Sequence, residues 1–293
     1  MMADIPEEHR TACKVAARAR DVGARKIAEG VKLLDVAEEV ENTIFDMGAA
    51  PAFPVNLSLD TIAAHYTPHC GDETVFEKGS LVKMDVGAHV EGYIGDTATT
   101  VEVGTSRWSK LTQAAKEALE SAIDMAGPGV STRDLGRVIE RSICSYGLQP
   151  IKNLTGHGLG RYDLHSEPSI PNFPEGPDFR LREGMVVAIE PFSTTGKGYV
   201  RGERGGSIYR LIRNREPKSK SLYQTYTTIK EMYPLLPFAQ RWLAAGQPEL
   251  KKLSKLGIIA EYDILVEATN GMVAQEEHTI LITEGGCEVL TRT

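Results

Sequence analysis

No apolar run in this 293-residue chain approaches the roughly 18 to 20 residues that a membrane-spanning helix requires. The first residues, Met-Met-Ala-Asp-Ile-Pro-Glu-Glu-His-Arg, also lack the apolar core of a secretion signal, so a cytoplasmic location with no membrane partner is expected. Cysteine is scarce. Cys13, Cys70, Cys144 and Cys287 are scattered without a Cys-x-x-Cys pair, which argues against a disulfide framework or a zinc knuckle and for free, buried thiols. Basic charge is not in excess either, and the net charge of -7 speaks against a chain dominated by nucleic-acid binding. The glycines of Gly156-His-Gly-Leu-Gly160 are spaced wrongly for a dinucleotide fingerprint. What is present is 41% apolar content, ample for the core of one large domain or two small ones.

Against that background five residues stand out on segments that read as strands or strand ends: Asp85, Asp96, His157, Glu190 and Glu277. Carboxylates with one imidazole make a ligand set for a pair of divalent cations, and paired metals usually mean hydrolysis. Two of the five occupy matching places in an internal repeat. Lys78-Gly79-Ser80-Leu81-Val82-Lys83-Met84-Asp85 aligns without a gap on Glu183-Gly184-Met185-Val186-Val187-Ala188-Ile189-Glu190. In each copy a turn glycine precedes a short apolar run that ends in an acid, the pattern of a buried strand delivering a carboxylate to its end. Upstream, Asp35 to Gly48 and Thr132 to Gly147 both place apolar residues at helical spacing and stop at glycine, and extended, proline-bearing segments follow at Pro51, Pro54 and Pro150. The chain reads as two similar α-then-β halves, an α+β architecture in which acids from matching strands converge on the axis between them.

Helices are expected from about Glu8 to Ala28, from Asp35 with Glu38 completing a capping box, from Ser109 to Ala126 and from Thr132 to Tyr146. Strands are expected near 81–89 and 92–103. With the turn pivoting midway between Val90 and Glu91, Asp85 and Asp96 fall directly opposite each other, with Cβ atoms about 4.5 to 5.5 Å apart. Two bare carboxylates at that separation repel, and a cation between them resolves the repulsion. The competing reading, a solvated hairpin face, is disfavoured because Asp is depleted in strand interiors. His157 lies among glycines that let backbone approach a ligand closely. A lone His in such a turn is more often structural; here His165 follows, and both precede the second acid-bearing strand. Ala274 to Arg292 reads as a terminal hairpin around a Glu-Gly-Gly turn. Glu276 and Glu277 are adjacent, so they point to opposite strand faces, and spacing does not choose between them.

Taken in order, Ala63-Ala-His-Tyr-Thr-Pro68, Asp85-Val-Gly with Asp96, Gly156-His-Gly, Ala188-Ile-Glu-Pro191 and Ala274-Gln-x-Glu-His-Thr279 resemble the motifs of the methionine aminopeptidases, from about Glu8 to the end of the chain. The resemblance implies the pita-bread fold, a single catalytic domain over 1–293 built of two pseudosymmetric α/β halves around a dinuclear metal site. It selects Glu277 over Glu276 as the ligand glutamate. A charged stretch between Glu190 and Glu277, read as a helical insertion over 207–257, points to the type II branch in its short, archaeal-like form. The insertion's approach and beginning are basic at Arg201, Arg204, Arg210, Arg213 and Arg215, and a solvated cap is the preferred reading over nucleic-acid contact.

The resemblance further implies that Asp85, Asp96, His157, Glu190 and Glu277 bind two divalent ions (cobalt, manganese, iron or zinc), and that Glu190 shuttles a water proton. It implies that His65 and His165 contact the scissile peptide and that Phe53 and Tyr262 line an apolar methionine pocket. Left to itself, His65 would read as a packed imidazole beside Tyr66. His69 and His89 read as surface histidines, and His278 as pointing away from the site. The implied partner is the N-terminal methionine of nascent polypeptides with a small second residue, handled by a monomer with room for transient ribosome contact. Glu276 departs from the pattern, standing where the family commonly has an apolar residue; buried, it would need an Arg or Lys partner. Three rivals share the fold. Proline-specific aminopeptidases usually carry an extra N-terminal domain, creatinase-like members work without metal and would not need all five ligands, and non-catalytic binding modules associated with ribosomes or nucleic acid have lost ligands that this chain keeps.

Overall fold

A computed structural model describes residues 5–243 and 246–293. The chain opens with α1 (Glu7–Lys26) and α2 (Leu33–Asp46). Leu33, Val36, Ala37, Val40 and Ile44 line one face of α2, the stripe that a 3.6-residue period buries. Short strands β1 (Ala50–Pro51), β2 (Asn56–Leu59) and β3 (Ile62–Ala64) lead into a long hairpin, β4 (Leu81–Val90) and β5 (Tyr93–Glu102). The design then recurs: α3 (Ser109–Met125), α4 (Thr132–Ser145), β6 (Gln149–Pro150), β7 (Thr155–Gly160), β8 (Asp163–Pro171), β9 (Val186–Ile189) and β10 (Phe192–Thr194). Next come β11 (Val200–Glu203), β12 (Ile208–Leu211), α5 (Lys220–Met232), β13 (Phe238–Ala239), α6 (Gln247–Lys255), β14 (Ile259–Glu261) and β15 (Ile264–Glu267). The chain closes with β16 (Val273–Gln275), β17 (Glu277–Thr283) and β18 (Gly286–Val289).

Among the described residues the main sheet has nine strands, ordered β1-β4-β5-β17-β9-β7-β8, with β2 beside β4 and β18 beside β17. The repeat seen in the sequence is present in space. Gly79 and Gly184, which precede β4 and β9, both have positive φ (87° and 84°), a conformation that costs glycine little and other residues more. Helices α1 and α2 pack Val15, Ala19, Leu33, Val40 and Ile44 against Val82, Met84 and Val86 of β4. In the other half α3 and α4 pack Leu119, Ile123, Leu135, Ile139 and Ile143 against Val187, Ile189 and Ile280. Each large aliphatic side chain so buried contributes about 1.5 to 3 kcal/mol, so the two layers hold the sheet between them.

Several expectations are corrected. Helix α2 begins at Leu33 after Lys32, with no side-chain cap, so Asp35 is not an N-cap and there is no Asp35–Glu38 capping box. Asp35 instead lies in the first turn, where its charge complements the helix dipole. The β4–β5 hairpin pairs Val90 with Tyr93, so it turns about Glu91-Gly92, one residue later than expected. The stretch expected as a helical insertion is mixed: α5 and α6 pack on a small sheet ordered β13-β12-β14 over a core of its own that includes Tyr209, Tyr226, Ile229, Phe238, Leu250 and Ile259. The cysteines are free, but Cys70 and Cys144 are exposed and only Cys13 is fully buried. His69 is exposed; His89 is half-buried and accepts the Gly92 amide at 3.2 Å across the turn. No helix among the described residues is long and apolar enough to cross a membrane.

Candidate metal centre

Strand register brings the four acids and the one histidine onto one face of the main sheet. Asn56 pairs with Asp85, Asp85 with Ala98, and Ala98 with Glu277, forming one row across β2, β4, β5 and β17. Asp96, two residues from Ala98 on β5, shares that face because side chains alternate with period two. Ala188 of β9 pairs with both Thr279 of β17 and His157 of β7, so His157 also lies on the face of Glu277. Glu190, two residues beyond Ala188, emerges just past the end of β9. Asp85 and Asp96 are not directly opposite: Asp96 pairs with Gly87, leaving the two acids diagonal neighbours. The observed register differs from the expected one by two positions, an even number, so the two acids share a face in either.

Asp96, His157 and Glu277 each bring one ligand atom within 4.8 Å of the others. His157 Nε2 lies 3.8 Å from Asp96 Oδ2 and 3.6 Å from Glu190 Oε1. Its Nδ1 faces the Gly158 carbonyl at 3.3 Å, and since a carbonyl only accepts, Nδ1 carries the proton and Nε2 keeps its lone pair toward the acids. Burial holds the imidazole neutral, with a pKa lowered to about 3 and the nearby His165 adding to the effect. Burial pushes the Asp85 carboxyl up to about 7. Asp96 is raised well above the usual range by burial and by Asp85; burial likewise raises Glu190 and Glu277, with the neighbouring acids adding to it. Asp85 Oδ1 and Asp96 Oδ1 are buried without a hydrogen-bond partner. An oxygen-rich donor set with one imidazole lone pair, mutually raised acids and two orphaned carboxylate oxygens fits divalent metal.

The cluster forms the floor of a cavity of about 220 Å³. All nine residues singled out from the sequence line it: Phe53, His65, Asp85, Asp96, His157, His165, Glu190, Tyr262 and Glu277. His65, held at φ 64° just after β3, packs edge-on against Tyr262 at 5.3 Å, with its Nδ1 3.3 Å from the Asp263 carbonyl. It faces the cavity rather than packing as a core imidazole with Tyr66. His165 on β8 meets the His157 ring edge-on at 4.6 Å. Burial lowers both pKa values, that of His65 to about 4. Phe53 lies across Gly87, where an added Cβ would come within 2.2 Å of the ring.

The metallopeptidase family M24 model matches residues 7–284. A methionine aminopeptidase of Archaeoglobus fulgidus is 46% identical over 291 residues, covering 99% of each chain. One of Pyrococcus abyssi is 46% identical over 285 residues, covering 95% of this chain and 96% of that one. The chain belongs to metallopeptidase family M24. The crystal structure of a methionine aminopeptidase from Thermotoga maritima superposes with a TM-score of 0.75 at 28% identity over 100% of both chains. The fold is the pita-bread arrangement of two facing α/β halves.

Some members of the site were not read from the sequence. Gln275 Nε2 lies 3.4 Å from both Asp85 Oδ2 and Glu190 Oε2. Its only signal was its place in the motif two residues before Glu277. Asn56 accepts the His65 amide at 2.7 Å and so fixes that residue's backbone; nothing in the local pattern marks it. Thr97 Oγ1 donates to the Glu277 carbonyl at 2.8 Å, and the Thr279 hydroxyl both donates to the Asp96 carbonyl and accepts the Asp96 amide. His278 points away, with its Nδ1 2.9 Å from Thr291 Oγ1. Among the described residues Glu276 forms no ion pair with Arg or Lys: its carboxylate accepts from Thr99 Oγ1 at 3.2 Å and the Thr100 amide at 3.1 Å. Burial raises the carboxyl to about 7, against these two hydrogen bonds and the smaller, through-space pull of Arg20 and Lys116.

Proposed function

We propose that the chain is a cytoplasmic methionine aminopeptidase of the type II, archaeal-like form, which removes the N-terminal methionine of nascent polypeptides whose second residue is small. The observation that carries this reading is one cavity that joins the Asp/His/Glu cluster to an apolar wall of Phe53, Leu164, Phe192, Ile208 and Leu265. A thioether side chain suits such a wall, being flexible and weakly polar. Asp85, Asp96, His157, Glu190 and Glu277 would hold two divalent ions of cobalt, manganese, iron or zinc. Such ions supply a water acidic enough to ionise near neutral pH and positive charge for a developing oxyanion. Glu190 takes the water's proton and returns it to the leaving amine, a role its raised pKa suits.

His65 and His165 orient the peptide as neutral imidazoles. With the His65 Nδ1 proton committed to the Asp263 carbonyl, Nε2 is the ring atom left for the substrate. Phe53 and Tyr262 complete the methionine pocket, and the enzyme acts as a monomer on chains emerging from the ribosome. The test is methionine release from Met-Gly and Met-Lys peptides, beside an Xaa-Pro substrate, by chelator-stripped protein resupplied with manganese or cobalt. Metal-dependent release from Met-Gly is expected, with a loss of about 10²- to 10⁴-fold in Glu190→Gln. Folded, metal-binding protein that releases nothing would sink the reading in favour of a binding module, and cleavage confined to Xaa-Pro would reassign the substrate.

A further inference from the structure

A buried ion pair outside the cavity lining ties together three segments that form its wall. Glu41 lies on α2 and Arg241 just after β13, with side chains only 6% and 4% exposed. The Arg241 guanidinium donates to Glu41 Oε1, to Thr67 Oγ1 at 2.7 Å and to the Pro68 carbonyl at 2.9 Å. Glu41 also accepts from Trp242 Nε1 at 2.8 Å and from the Val55 amide at 3.2 Å. Thr67 Oγ1 in turn donates to the Val55 carbonyl at 2.7 Å.

Apart from Glu41 itself, each partner is a short step along the chain from a cavity residue. Val55 lies between Phe53 and Asn56, and Thr67 is two residues past His65. Arg241 follows β13, whose Ala239 pairs with Ile208 of β12; Pro237 precedes that strand, and Tyr262 donates its amide to the Ile208 carbonyl at 3.0 Å. The Phe53–Asn56 segment, the His65 loop and the insertion's small sheet thus meet at one guanidinium–carboxylate pair. A buried pair of this kind seldom adds stability over an apolar replacement. What it does supply is geometry, because the planar fork of arginine fixes its acceptors relative to one another.

We propose that Glu41 and Arg241 are positioning residues for the methionine pocket, setting the spacing of its three wall segments and so the enzyme's choice of the first substrate side chain. The inference rests on the methionine aminopeptidase reading. It is tested on the manganese-loaded full chain with Met-Gly-Gly and Leu-Gly-Gly peptides, comparing wild type, Arg241→Lys and the double variant Glu41→Gln/Arg241→Met. Calorimetric affinities for free methionine and for manganese are measured alongside.

The double variant is expected to raise KM for the methionine peptide about tenfold with kcat within about twofold, and to lower the Met-to-Leu ratio of kcat/KM and the affinity for free methionine by about tenfold. Manganese affinity should not move. Arg241→Lys, which keeps the charge but not the fork, should recover part of the selectivity. Should the double variant not fold, Thr67→Val, which removes one hydroxyl from the network, is expected to shift KM and selectivity in the same direction by a smaller factor. Folded variants with wild-type KM, selectivity and methionine affinity would overturn the proposal, as would a change confined to thermal stability. Wild-type protein that releases no methionine would refute the enzymatic reading instead, and methionine affinity across the same variants would then decide the pocket inference.

Discussion

Gln275 shares one buried amide between Asp85 and Glu190, at 3.4 Å from each. Groups that orient ligands in this way commonly set metal affinity, so Gln275→Leu is expected to weaken manganese binding about 10-fold while leaving the fold intact. Calorimetric titration checks this, and an unchanged affinity would make the amide a spectator. His65 provides a second residue-scale expectation. Burial lowers its folded pKa to about 4 from an ordinary 6.5. Between those values the unfolded chain carries a proton that the folded chain does not, so stability rises with pH across the window. The contribution is complete above 6.5 and is lost as pH falls toward 4. His65→Gln should therefore lose less stability than wild type when urea unfolding is compared at about pH 7 and about pH 4.5. Equal losses would mean that His65 protonates freely in the folded protein.

The β4–β5 hairpin carries two of the candidate ligands, and its register decides how they meet. Gly87 stands opposite Asp96 and beneath Phe53, where a methyl group would come within 2.2 Å of the ring. Gly87→Ala should cost about 1 to 3 kcal/mol and raise KM for methionine peptides by displacing Phe53. Wild-type KM in that variant would show that the ring is not part of the pocket. The helices and the two long strands were legible in the sequence because their apolar periods are clear. The register was not, and the reason is local. A two-residue turn with positive φ at both positions favours Asn-Gly, whereas here Glu91 (φ 50°) and Gly92 (φ 87°) adopt it, so the usual signal is missing. Strands β12, β13 and β14 were equally invisible, since two to four residues leave no room for alternation to appear.

The repeat made the two-halved plan readable from one sequence, because Asp85 and Glu190 end matching strands and the helices before them match as well. The polar contacts that tie distant segments were beyond reach: Glu267 gathers the amides of Lys197, Gly198, Thr269 and Gly271, and no local pattern announces such a role. The site itself depends on both halves, drawing Asp85 and Asp96 from one, His157 and Glu190 from the other and Glu277 from the closing strand. In metal-free protein its crowded acids oppose folding at neutral pH. Their folded pKa values lie above the unfolded ones, so the folded state holds extra protons at low pH and loses that advantage as pH rises. A divalent ion bound only to the folded chain reverses this, adding about 2.7 kcal/mol at 100 times its Kd, or roughly 5 to 10 °C in Tm for a chain of this size. Asp96→Asn should act twice: without metal it raises Tm by relieving repulsion, and with manganese it loses most of the ligand-induced shift. Scanning calorimetry of both proteins, with chelator and with manganese, separates the effects. A manganese shift that survives in Asp96→Asn would place the stabilising ion somewhere other than the floor of this cavity.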